Sequence, residues 1–326
     1  MRGGRSRWTT RHVRVLLVAG LALAMSGCGA ASDAGGGGDK QYVIGSWTRG
    51  FSVVLTDRVA ETAANDDQLK VNNYSDLQQL YTDVLSGKAD MTIGGPDVFA
   101  SQAAKGAPIH IAATVSPNST ALVGKSEITS AEHLKGKRIA AITTSGGWRI
   151  TKALLADKFG VKEGEDFEVV NVPNAESGVT QVAAGTADFA VGWEPAVTSA
   201  VRANPGMRVA FSSSDAKPGE TFGTGWQLVL AVRDSVSKDA EQRAVERLQE
   251  AAQWLNEHPE EADKYATKQG FKAGTAANVM QQSVHAFVVK PVDGEVVTQL
   301  KEQLALIHRT GTDEKEPPAR FYGGSN

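Results

Sequence analysis

The chain has 326 residues, with 34 basic and 37 acidic side chains, a formal net charge of −3 and a single cysteine. A slightly acidic balance with no Lys/Arg stripe argues against nucleic acid as a partner, and one cysteine leaves no internal disulfide. The length suffices for two moderate lobes, each with its own core.

In chain order, residues 1–27 have the pattern of a secretory signal. Arg2, Arg5, Arg7, Arg11 and Arg14 make a basic leader, followed by an apolar run at 13–25 that is too short for a membrane span. Met25-Ser26-Gly27-Cys28 looks like a bacterial lipobox, with Met where Leu is usual. Cys28 is therefore expected to carry a diacylglycerol anchor, each buried acyl CH₂ contributing about 0.8 kcal/mol. With no Arg-Arg pair in the leader, general secretion is favoured over twin-arginine export. Residues 28–40, with Gly35-Gly36-Gly37-Gly38, read as a flexible tether. A phosphate-cradling reading of those glycines lacks both the preceding strand and the closing Lys-Ser/Thr.

The first lobe is predicted to contain strands at 41–46, 69–72, 91–94, 109–115 and 121–123, with helices at 53–64, 77–86 and 97–105. Asp76 or Ser75 caps the second helix and Gly87 closes it. The second lobe is expected at 126–224, with strands at 138–142, 167–172, 189–191 and 208–211. Its helices are expected at 131–134, 148–159, 178–184 and 195–203. Alternating strands and helices imply an α/β architecture with mostly parallel sheets. A strand at 226–232 then returns the chain to the first lobe, which comprises 41–125 and 225–310. Ala240, Ala244, Leu248, Ala251, Ala252 and Leu255 form a helical stripe within 238–257. Helices at 259–268, 275–285 and 293–308 complete a block expected to pack on the first lobe, and 311–326 is expected to be a loosely ordered tail.

An internal likeness relates the lobes. Ser86-Gly87-Lys88-Ala89-Asp90-Met91-Thr92-Ile93-Gly94-Gly95-Pro96-Asp97 is echoed by Ala184-Gly185-Thr186-Ala187-Asp188-Phe189-Ala190-Val191-Gly192-Trp193-Glu194-Pro195. Each copy runs from a helix end through Gly and Ala-Asp to an apolar strand, a Gly, and an acid beside a Pro. The strand and loop at 42–50 pair in the same way with 138–149. Two similar lobes imply a cleft lined by strand ends and helix N-termini.

The order of these motifs, over roughly 41–310, resembles the solute-binding proteins of the nitrate/sulfonate/taurine ABC importers, close to the aliphatic-sulfonate and taurine binders. The carrying pieces are Leu85-Ser86-Gly87-Lys88-Ala89-Asp90, Ala131-Glu132-His133-Leu134-Lys135-Gly136-Lys137, Trp193-Glu194-Pro195 and the helix Trp254-Leu255-Asn256-Glu257-His258-Pro259. The resemblance implies a two-lobe type II binding fold and delivery of a solute to a separate permease and its ATPase. With the lipid anchor at Cys28, the expectation is a monomer held on the extracytoplasmic face of the cell membrane, with no cofactor and no metal.

Within the cleft, Thr144, Ser145 and Gly146 open a helix whose N–H groups suit an anion, and Arg149 in its first turn could add a bidentate contact. The bland alternative is that Ser145 merely caps that helix and Arg149 is solvated. Ser46, Trp47 and Thr48 form the partner loop, where Trp47 could cover an apolar part of the solute or simply pack on its own lobe. Gly95, Asp97 and Glu194 follow the repeated strands; the acids could face an ammonium or only stabilise helix dipoles. Trp193, and the pair Trp226-Gln227 where the chain crosses back, complete the candidates. Acids opposite an anion-binding helix end suit a small zwitterion such as an amino-sulfonate. The alternatives are a pyrimidine-like or other heterocycle stacked on tryptophan, a synthase related to pyrimidine-precursor enzymes, and a ligand-free sensor lipoprotein. No Gly-x-Ser-x-Gly elbow is present, the synthase's glycine- and cysteine-bearing motif is absent, and the six histidines form no i, i+4 pair.

Overall fold

The structure, a computed structural model, describes residues 40–63, 68–213, 225–282, 286–310 and 315–323. The signal, Cys28 and the tether up to residue 39 lie outside the described residues.

The first lobe is built on a five-stranded sheet of order β2-β1-β3-β10-β4. Its strands are β1 (Tyr42–Trp47), β2 (Leu69–Tyr74), β3 (Met91–Gly94), β4 (Ile109–Pro117) and β10 (Trp226–Arg233), and its first helices are α1 (Ser52–Thr62), α2 (Leu77–Ser86) and α3 (Pro96–Ala104). Asp76 is the cap that starts α2, its carboxylate accepting from Gln79 N at 2.8 Å. Gly87 ends that helix with φ of 88°, a left-handed value that glycine adopts without a Cβ penalty. All four β3 residues are buried, as expected of a central strand covered on both faces.

The second lobe repeats the plan in the order β7-β6-β8-β5-β9. Its strands are β5 (Ala121–Gly124), β6 (Lys137–Ala141), β7 (Phe167–Asn171), β8 (Phe189–Gly192) and β9 (Arg208–Ser212). Its helices are α4 (Gly146–Phe159), α5 (Ala175–Ala184) and α6 (Ala196–Ala203). Ser145 caps α4 through Trp148 N at 3.1 Å, and Asn174 caps α5 through Ser177 N at 2.8 Å, so both helices start earlier than their apolar residues suggest. The rest of the chain forms α7 (Lys238–Glu257), α8 (Ala262–Lys268), α9 (Thr275–Gln282) and α10 (Gly294–Arg309).

Several expectations are corrected. Strand β5, expected in the first lobe, pairs with β8 and β9 in the second, where Leu122 on one face and Ala121 and Val123 on the other are buried in core. The sheets are mixed: in each, four of the five strands run the same way, while β10 in the first and β5 in the second arrive from the opposite lobe and run antiparallel to both neighbours. The first crossing is thus at 118–120, upstream of the expected boundary between 125 and 126. There Asn118 N donates to Gly225 O and Ser213 N to Thr120 O, each at 3.0 Å. Ser119 adds its N–H and hydroxyl to Gln227 Oε1 at 2.6 and 2.7 Å, so the two crossings are bonded side by side.

The C-terminal block does not belong to the first lobe alone. Val296, Leu300 and Leu304 of α10 lie in first-lobe core, whereas Leu306 and Ile307 enter the core of the second. The tail, expected to be loose, is anchored over 315–323. Phe321 is fully buried against the first lobe, and Arg320 Nε pairs with Asp234 at 3.3 Å. Phe321, with Tyr322 packed beside it and Pro317 buried, docks this segment.

Candidate functional site

A cavity of about 720 Å³ opens between the two sheets, lined by strand ends and helix starts of both lobes. The first lobe contributes Trp47, Phe51, Ser52, Leu77, Tyr81, Ile93, Gly95 and Leu228, with Val279 of α9 and Phe287 behind it. From the second come Ser145, Gly146, Gly147, Trp193, Glu194, Val197, Thr198, Val209 and Ser212. Asn118, Ser119, Gly225 and Gln227, at the crossings, also line it. The walls are mostly apolar, and the polar groups are hydroxyls, amides and one carboxylate. Among the described lining residues there is no Lys, Arg or His, and Glu194 is the sole acid.

Trp47 and Trp193 approach from opposite lobes, ring centroids 6.2 Å apart and planes tilted by 51°. Trp193 lies against the start of α4, where a Cβ on Gly147 would come within 2.9 Å of the indole. Glu194 precedes α6 and folds back on it, accepting from Thr198 N at 3.1 Å and from the Thr198 hydroxyl at 3.0 Å. Burial pushes its carboxyl above the usual carboxylate range, and the two Thr198 bonds only partly offset that. A half-buried acid of raised affinity for protons is suited to accept from an ammonium or an N–H of a solute, which would restore the charged form.

Of the twelve predicted ligand residues, Trp47, Gly95, Ser145, Gly146, Trp193 and Glu194 meet at this cavity. The other six are placed elsewhere. Ser46 is buried below it, its hydroxyl 2.6 Å from that of Thr56. The Thr48 hydroxyl donates to Tyr74 O at 3.2 Å, within its own lobe. Trp226 points into the first-lobe core and donates its indole N–H to Gln299 at 2.8 Å. Thr144 and Arg149 line a separate, smaller cavity of about 230 Å³ beside α2 and α3, and Tyr81 borders both cavities. Asp97 faces Arg149 across the lobe boundary, Nε to Oδ2 at 3.6 Å, with its side chain 1% exposed. The cation assigned to a solute anion is thus engaged by the protein's own carboxylate.

Sequence reasoning missed the crossing residues Asn118 and Ser119. Of the pair Trp226-Gln227 it is the glutamine that lines the cavity: in β10 neighbouring residues face opposite sides, so with Trp226 in the core, Gln227 faces the cavity. Phe51 and Phe287, stacked at 5.2 Å, carry no motif that separates them from ordinary core.

Among the described residues no cluster of His, Cys, Asp or Glu could hold a metal ion, and no helix is long and apolar enough to cross a membrane.

The NMT1/THI5 like family model matches residues 68–262. No curated relative matches the sequence. Solved structures share the fold at low identity. The alkanesulfonate-binding protein SsuA from Xanthomonas axonopodis pv. citri, bound to MOPS, is 20% identical over 83% of this chain and 93% of its own, with a TM-score of 0.65. The periplasmic aliphatic sulphonate binding protein of Escherichia coli is 17% identical over 83% and 87%, with a TM-score of 0.67. A zinc-bound ligand-binding component of an ABC-type import system from Staphylococcus aureus is 13% identical over 88% and 96%, with a TM-score of 0.66. The two-lobe, periplasmic-binding-protein-like fold is shared by all three.

Proposed function

The chain belongs to the NMT1/THI5-like family, and on that premise we propose that it is the solute-binding component of an ABC importer, capturing a small organic solute between its lobes for a membrane permease. The observation that carries this reading is the cavity itself, closed in by side chains of both lobes and opening at strand ends. A lipid anchor at Cys28 would keep such a receptor on the extracytoplasmic face of the membrane, acting as a monomer. Catalysis is not part of the reading; turnover of a pyrimidine precursor would overturn it in favour of a synthase.

For the solute, the geometry supports the second of two readings. A sulfonate or amino-sulfonate was expected to meet Arg149, but that side chain pairs with Asp97 outside the main cavity. The cavity offers aromatic faces and Glu194 instead. These suit a solute with a flat or apolar body and an ammonium or ring N–H donor, such as an amine or a pyrimidine-like heterocycle. A cation over a tryptophan face gains roughly 0.5–2 kcal/mol, and a charge-assisted hydrogen bond about 1.5–3 kcal/mol.

A thermal-shift panel of alkanesulfonates, taurine, nitrate, carboxylates, amines and pyrimidines tests both levels. A solute at about a hundredfold its dissociation constant adds roughly 2.7 kcal/mol, enough to raise the midpoint visibly. Shifts from amines or heterocycles are expected. Shifts confined to sulfonates would overturn the solute class and leave the receptor; none across the panel, with retained folding, would favour the sensor reading.

A further inference from the structure

Helices α3 and α4 meet head to head at the lobe boundary. Pro96 and Asp97 open α3 in the first lobe, and Gly146 and Gly147 open α4 in the second. Each helix start carries partial positive charge on its unpaired N–H groups, so two such ends brought together repel unless an anion lies between them. The Asp97 carboxylate lies there. A Cβ on Gly146 would come within 2.5 Å of Asp97 Oδ1, and one on Gly95 within 2.9 Å of the same oxygen. That Gly95 Cβ would also be 3.6 Å from Gly146 Cα, so glycine on both sides allows the two backbones to approach. Arg149, 24% exposed and one turn into α4, completes the surround, its Nε 3.6 Å from Asp97 Oδ2.

We propose that Asp97 is a built-in anion. In the closed arrangement it occupies the α4 helix end and the Arg149 side that would otherwise take an anionic group of a solute. It thereby holds the lobes together and makes the receptor discriminate against small anions. The argument rests on the reading of the chain as a solute receptor and supplies its specificity: the protein brings its own negative charge, so the solute need not. Two consequences follow from the chemistry. Closure has an electrostatic component that exists before any solute binds, because the carboxylate leaves water for two helix ends and a guanidinium together. An external sulfonate or carboxylate can reach the α4 end only by displacing Asp97, which is tethered and therefore at high effective concentration. Nearly complete burial of the carboxylate also shields the contact from salt better than an exposed pair.

The test uses Asp97→Asn, close in shape and without charge, and the double variant Asp97→Asn/Arg149→Gln. Methanesulfonate binding is measured by calorimetry, and lobe separation by paired spin labels, one on each lobe, with no solute present. Asp97→Asn is expected to gain tenfold or more in methanesulfonate affinity and to shift the distance distribution towards open lobes; the double variant should lose the gain. Unchanged methanesulfonate affinity together with an unchanged distribution in a folded Asp97→Asn protein overturns the proposal. Should that variant not fold, Arg149→Gln alone must still open the lobes without gaining affinity, and no opening is an equally adverse result. The distance measurement needs no solute. A null solute panel with opened lobes would therefore sink the receptor reading while leaving the latch, and bound solute with unaltered lobes would do the reverse.

Discussion

The two lobes share one strand plan, yet the acids that follow their central strands lie in different surroundings. In the first lobe the order is Pro96-Asp97, so proline takes the first helical position and the acid falls inside the first turn, against the other lobe. In the second the order is Glu194-Pro195: the acid precedes the helix, turns back to Thr198 and faces the cavity. Exchanging the order of two residues accompanies a change in whether the carboxylate lies at the joint between lobes or at the cavity. Repeat-related positions therefore share backbone placement without sharing side-chain surroundings.

A second contrast is in how each lobe is completed. The first relies on the tail, with Phe321 buried among Ile109, Ile111 and Leu300, while the second borrows the last turns of α10. Phe321→Ala should thus cost about 3–5 kcal/mol, the range for deleting a buried phenylalanine. Chemical denaturation checks this, and a loss below 1 kcal/mol would mean that both lobes are self-sufficient. Next in size is Glu194→Gln, expected to weaken a solute found in the panel by about tenfold to a hundredfold, or roughly 1.5–3 kcal/mol, with little change in melting midpoint. Unaltered affinity in calorimetry would erase the distinction between the two acids.

The smallest effect concerns pH and falls on the first lobe. His110 of β4 is buried, with Asp234 at 2.9 Å from Nδ1 and Glu241 at 2.9 Å from Nε2; Lys238 and Arg320 bracket those acids. Burial lowers its proton affinity, but hydrogen bonds to Glu241 and Asp234 outweigh that and hold the imidazole above its usual 6.5. The resulting stability is complete below the unfolded value and is lost as pH rises through the folded one, by about 1.4 kcal/mol for each unit of displacement. Glu241 is the mirror case: burial raises it, the His110 bonds prevail and lower it below 4.5, so its contribution is present above 4.5 and lost on acidification. The melting midpoint should fall on going from pH 6.5 upward, and His110→Gln should flatten that slope. A midpoint that rises over the same interval would contradict the assignment.

The legibility of the sequence was uneven for physical reasons. Element type followed periodicity and caps, which are local, so Asp76, Ser145 and Gly87 were readable in advance. Partnership between strands is not local, which is why β5 was assigned to the wrong sheet although its bounds were nearly right. In the site, loops announced themselves while side-chain direction did not. Arg149 sits one turn past Ser145, and helical rotation carries it towards α3 and out of the cavity. Trp226, an aromatic at the crossing, turned inward because its indole N–H finds Gln299. The tail was misjudged because composition averages over Phe321.

The junction between lobes also has a kinematic consequence. The paired crossings at 118–120 and 225–227 are laced to one another and tie the lobes at one point. Helix α10, rooted in one core by Leu300 and Leu304 and in the other by Leu306 and Ile307, gives a second. Two points determine a line. A hinge through both attachments would leave little room for twist or sliding, and the expected movement is a single swing that would carry Gly146 away from Asp97 and Trp193 away from Trp47 together.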